Sequence, residues 1–248
     1  MAQLMRTSNP AFSSDAFRGE GVIIGDAMSV QGTVNKTGLL LVCVIASAAW
    51  TWNRLLESPQ TAGPLVGIGA IGGLIFALAT VFKKSWAPVT APVYALLEGF
   101  VLGGVSVLFN LRYPGIAFQA VSLTFGTLFV LLIAYRAGWI RATEKFKLGV
   151  VAATGGIFLF YMLSMVLGFF GFHFTSMFGA GPIGIGFSAV VVIIAALNLV
   201  LDFDFIENGA RAGAPKYMEW YAAFGLMVTL IWLYLEILRL LSKLRSRN

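Results

Sequence analysis

The chain has 248 residues, 58% of them hydrophobic and only 11% charged, with a mean hydropathy of +0.86 and a net charge of +6. A soluble domain carries about 25% charge, so the composition excludes an ordinary soluble fold and reads as an integral membrane protein. The basic residues lie between apolar runs and form no groove with interleaved aromatics, so no nucleic-acid partner is expected.

Residues 1–36 are polar and mixed. They lack an apolar core followed by small residues, so they read as a largely disordered arm rather than a cleaved signal, with room for a short surface helix near Val22–Met28. A helix needs roughly 20 apolar residues to cross the hydrocarbon. Seven runs serve: Thr37–Trp52, Gly63–Phe82, Pro88–Phe109, Ile116–Tyr135, Leu148–Phe170, Pro182–Phe205 and Trp220–Leu241. The expected organisation is an arm over 1–36, a transmembrane domain over 37–241 and a basic tail over 242–248. The runs are continuous rather than alternating, which disfavours a β-barrel. The expected fold is therefore all-α, a polytopic membrane protein built as a seven-transmembrane-helix bundle. Its many in-span glycines read as close helix contacts, and "GIGAIGG" at 67–73 sits inside a span, so it is no phosphate loop.

Orientation follows from Lys and Arg. Eleven of the seventeen fall on the arm's side: Arg6, Arg18, Lys36, Lys83, Lys84, Arg136, Arg141, Lys145, Lys147, Arg211 and Lys216. The opposite loops hold Arg54 and Arg112 alone, so the amino terminus is expected in the cytoplasm. The tail, with Arg239, Lys243, Arg245 and Arg247, goes against this pattern.

A carboxylate inside the bilayer is costly, and midplane acids default to function. Glu98 lies near the middle of span three, in "PVYALLEGFVLGG". It is either a protonated acid bonded to a neighbouring helix or part of an ion or proton path. Asp202 comes about 30 Å along span six from Pro182, near the cytoplasmic mouth. Asn198 is one turn earlier on the same face. Asp202 is either a gate or a structural partner for a cation of the 2–3 loop. Asp204 and Glu207 share another face, as a solvated helix end or a cation vestibule. Glu236 with Arg239 reads as an interfacial ion pair.

Catalytic alternatives find little support. The one histidine, His173, lies in the 5–6 connection, so neither a histidine metal set nor a serine–histidine pair for "GFS" at 186–188 is available. No lysine lies inside a span to hold retinal. The single cysteine, Cys43, can form no internal disulfide. Glu98 and Asp202 are a poor match in depth for an aspartyl-protease pair. No enzyme activity and no cofactor are expected, and no metal-ligand set is assigned.

"NLVLDFDFIENGARAGAPKYMEWYAAFGLMVTLIWLYLEILRLLSKL", with "SNPAF" at 8–12, "VNKTGLLL" at 34–41 and "YALLEGFVLGG" at 94–104, resembles the transmembrane Bax inhibitor motif family, in its bacterial YccA-like branch. The resemblance implies seven helices with the last surrounded by the others, a calcium leak gated by pH, and eukaryotic relatives that suppress cell death. It also implies a proton-sharing pair of aspartates on spans six and seven. Asp202 takes the span-six position. The span-seven position falls near Met227–Thr229, where no acid stands, and Thr229 aligns with it. The family's latch arginine has Lys83 or Lys84 as its nearest cation here. Two carboxylates at hydrogen-bond distance resist double ionisation; without the second acid, Asp202 must use Asn198, Thr229 or Lys84.

The resulting expectation is a cation path, calcium by the resemblance, with Asp202, Asn198 and Thr229 as gate and pH sensor. Glu98 stands deeper in the path, with Asp204 and Glu207 as a vestibule. Its partners are the lipid bilayer and cations, and its location is the inner membrane. The alternative is a non-conducting regulator that binds a membrane protease or another membrane protein. A lipid-directed enzyme is a weaker third.

Overall fold

The computed structural model describes residues 27–172 and 174–247. The expectations for 1–26 and for His173 lie outside the described residues. Eight helices follow in order: α1 (Val30–Glu57), α2 (Ala62–Phe82), α3 (Ala87–Arg112), α4 (Ile116–Arg136), α5 (Glu144–Phe169), the short α6 (Thr175–Phe178), α7 (Pro182–Arg211) and α8 (Met218–Arg245). All but α6 are long and apolar enough to cross a membrane, which makes seven spans. No strand occurs among the described residues, only an isolated bridge between Ala27 and Pro215.

The seven expected runs are all present, but several helices extend past them. α1 starts at Val30 rather than Thr37, so residues 30–36, expected in the arm, are helical. Ser29 sets that start: its hydroxyl accepts from the Gly32 N–H at 2.9 Å, satisfying a first-turn donor. α7 continues past Phe205 to Arg211, where Glu207 and Arg211 pair one turn apart. α8 runs to Arg245, so most of the expected tail over 242–248 is helix. A hydropathy window closes on the first charges, whereas a helix continues until its backbone is capped.

The chain divides into two compact units. Among the described residues, the first comprises 27–114 with Asp204–Val228, and the second comprises Gly115–Phe203 with 229–247. α7 and α8 contribute to both.

In the first unit, α3 packs against α1 and α2 through glycines. A Cβ at Gly103 would come within 2.5 Å of the Ala48 carbonyl oxygen on α1, and one at Gly69 within 2.6 Å of the Leu97 carbonyl oxygen on α3. Only glycine permits that approach, as the small-residue rule for membrane helices requires. Thr80 donates to Thr90 at 2.7 Å and ties α2 to α3 beside their shared turn. Gly213, with φ of 67°, closes the end of α7, and the Ala214 carbonyl then accepts from the Met28 N–H at 2.7 Å. That bond draws the chain entering α1 onto the α7–α8 turn.

In the second unit, Phe160 collects Phe174, Phe178 and Phe187 around it, at centroid distances of 5.6, 5.9 and 5.2 Å. Such offset and edge contacts suit the ring quadrupoles. The Lys243 ammonium is buried and donates to the carbonyls of Met177 and Gly184 and to the Ser188 hydroxyl, at 3.0, 3.0 and 2.8 Å. Along the chain, α8 is the most enclosed span, with 67% of its most apolar stretch buried, against 6% for α5.

Candidate functional site

Glu98 lies on α3, half-buried, one turn after Tyr94. The facing residue on α2 is Gly73: a Cβ there would lie 3.1 Å from Glu98 Oε2 and 3.9 Å from the Tyr94 ring. The glycine thus leaves the carboxyl its room. Tyr94 is itself held edge-on by Phe224 of α8, at 5.1 Å between centroids. Among the described residues, the Glu98 carboxyl makes no hydrogen bond or ion pair. A structural acid in lipid would be expected to hold such a partner.

Asp202, Asn198 and Thr229 are all buried. Asn198 and Asp202 stand one turn apart on α7, as expected from their spacing. The Asn198 Nδ2 donates to Thr154 Oγ1 of α5 and to the Ile194 carbonyl, both at 2.8 Å. The sequence pattern contained no signal for Thr154, because a threonine on an apolar helix is unremarkable until a neighbour addresses it.

The vestibule residues differ from each other. Asp204 is half-buried, whereas Glu207 accepts from Arg211 of its own helix at 2.6 Å. Lys83 is exposed, its ammonium 4.3 Å above the Trp86 ring, and Lys84 lies 5.8 Å over the Tyr221 ring. Both cations are thus near aromatic faces, which attract positive charge.

Two acids acquire roles that spacing alone did not suggest. Glu219, on the first turn of α8, has a fully buried side chain. Its carboxylate accepts from the Ser29 N–H and the Ser29 hydroxyl, each at 2.9 Å, from Lys216 at 2.8 Å, and from Lys36 of α1. A buried carboxylate needs such saturation. Gly32 completes the fit, since any Cβ there would overlap the Glu219 carboxyl. The sequence signal was limited to Lys216 three residues before Glu219, because Ser29 and Lys36 are 190 and 183 positions away. Glu236 is the second. The pair with Arg239 is present, at 3.0 Å, but Glu236 is 2% exposed and Tyr161 of α5 closes a triad with both. The Glu236 carboxylate is buried, while the Arg239 side chain stays partly exposed.

No group of three or more His, Cys, Asp or Glu is placed to hold a metal ion among the described residues.

Seven apolar helices carrying buried and half-buried carboxyl groups define the class: a polytopic, α-helical membrane protein. The chain belongs to the Bax inhibitor 1 like family, whose model matches residues 9–246. No curated protein matches the chain, and no solved structure does.

Proposed function

We propose that this protein is a cation leak of the inner membrane, with calcium as the cation and with protonation of intramembrane carboxyl groups as the gate. The observation that carries the reading is Glu98: an acid in the middle of a span, given room by Gly73 and without a hydrogen bond or ion pair among the described residues. Such a group is costly to retain for structure alone and suited to receiving a cation or a proton. Asp202, fully buried on α7, is the second ionisable group of the path and takes the gate position that the family resemblance implies. Asp204 supplies negative charge beyond it, with Glu207 shared with Arg211. The protein acts without catalysis and without a cofactor, calcium being cargo. The arm faces the cytoplasm, since eleven of seventeen basic residues lie on its side.

The test is calcium flux into liposomes containing the purified protein, at two pH values. The reading expects flux above empty liposomes and a clear difference between the two. Silent liposomes at both values would leave the non-conducting regulator, bound to another membrane protein, as the function. A reporter active only in the cytoplasm, fused to Asn248, tests orientation. It should stay dark, because seven spans place the two termini on opposite sides.

A further inference from the structure

We propose that Lys243 is a tethered plug: its ammonium fills a three-oxygen cation site at the end of a polar seam, and the leak conducts when the ammonium withdraws. The inference rests on the leak reading above.

The seam lies within the second unit. On α7, Gly184, Ser188, Asn198 and Asp202 are all buried. Gly184 and Asn198 are two heptads apart, as are Ser188 and Asp202, and a helical face drifts by only about 20° per heptad. One face of α7 therefore carries the proposed gate at one end and the Lys243 acceptors about 21 Å away. α8 repeats the pattern: Thr229, Glu236 and Lys243 follow at heptad spacing, each 6% exposed or less. α5 bridges the two, Thr154 accepting from Asn198 and Tyr161, two turns on, donating to Glu236. A helix buried against other helices needs no polar groups for its packing, and those it keeps inside a membrane mark an ion or proton route.

The far end of this route is closed by a cation. A lysine near a span end normally carries its head to water. Lys243 turns inward instead, onto the carbonyls of Met177 and Gly184 and the hydroxyl of Ser188. Its charged neighbours on α8, Glu236 and Arg239, pair with each other, and none of its three acceptors carries a charge. Neutral oxygens of this kind replace the hydration shell of a monovalent cation in a channel. Gly184 shapes the site: a Cβ there would overlap the Gly179 carbonyl oxygen and lie 3.1 Å from the Met177 carbonyl oxygen. The glycine lets the segment before α7 bring its carbonyls to the ammonium. That ammonium hangs on a flexible four-carbon stem, so it can leave the oxygens without a movement of α8. While it stays, its charge repels a cation arriving along the seam.

Lys243→Ala in the full-length protein, in liposomes, tests the plug. Propylammonium is the probe, because it restores the deleted carbons and the charge. An open state populated at about 10% or less in the parent leaves room for a rise in calcium flux of about tenfold in the variant. Propylammonium at fixed pH should return that flux toward the parent's. Propanol, which has the shape without the charge, should not. Ser188→Ala keeps the lysine and removes one acceptor, so it should raise flux by a smaller factor, and it serves if Lys243→Ala does not fold. A conducting parent with neither variant faster overturns the plug alone. A raised flux that ignores propylammonium overturns the cation site, since a damaged bundle leaks in that way. Silence in the parent and in both variants removes the leak reading and the plug with it.

Discussion

Lys36 and Glu219 are 183 positions apart in the chain and meet as an ion pair in which the Glu219 side chain is wholly buried. The pair joins the second turn of α1 to the first turn of α8, and Ser29 and Lys216 complete its shell. Glu219→Gln would leave two ammonium groups facing a neutral amide. Removing one member of a buried pair costs about 3–5 kcal/mol. Lys216 is exposed and can turn to water, so a loss of about 2 kcal/mol is expected. The thermal unfolding midpoint in detergent should fall by several degrees, and a midpoint equal to the parent's would remove Glu219 from the stabilising contacts.

Gly32 bears on the same carboxylate. Gly32→Ala inserts a methyl where the Glu219 carboxyl sits, and the carboxyl can move only by leaving Ser29 or a lysine. The expected cost is comparable to that of Glu219→Gln. Because both act on one contact, the double variant should lose much less than the sum of the two. Simple additivity of the midpoint shifts would show that Gly32 matters for another reason.

Lys243 is a buried cation whose hydrogen-bond partners are neutral oxygens. Lys243→Met keeps the aliphatic stem and deletes the donor. The Ser188 hydroxyl and two carbonyls then lose a partner, at about 1–3 kcal/mol in total. Amide hydrogen exchange over 174–188 should quicken while α4 is unaffected. Unchanged exchange there would mean that Lys243 does not hold that segment.

For the path, Glu98 and Gly73 form a testable pair. Glu98→Gln removes the charge with little change of shape and should reduce calcium flux at least tenfold, a barrier change of about 1.4 kcal/mol. Gly73→Ala brings a methyl to 3.1 Å from the carboxyl and should reduce flux by a smaller factor. Parent-like flux in Glu98→Gln, in protein that expresses normally, would place Glu98 among the structural residues.

Asp202→Asn removes the ionisable group from the proposed gate. Flux should lose most of its pH dependence, whatever its absolute level. Thr229→Asp restores an acid at the aligned position of span seven and should steepen the response, as two carboxyl groups sharing a site titrate together. A full pH response in Asp202→Asn would move the sensor elsewhere.

The number and order of the spans were determined by the sequence alone. Seven apolar runs separated by charges admit no other economical arrangement in lipid, where the backbone must bond within each segment. Glu98 was legible for the same reason: an acid among apolar residues is conspicuous wherever the chain goes. Asn198 and Asp202 were legible as a helical face, since both lie on one helix and 3.6 residues per turn fixes their relation. The tertiary structure decided everything that depends on two helices at once. It directed Asn198 to Thr154, joined Tyr161 to the Glu236–Arg239 pair, and brought Lys36 and Ser29 to Glu219. The pattern along a helix reports what that helix must bury, because burial follows from hydropathy and period. Which distant group meets a buried carboxylate depends on the close approach that Gly32 allows, and glycine leaves no trace of its neighbour in the sequence.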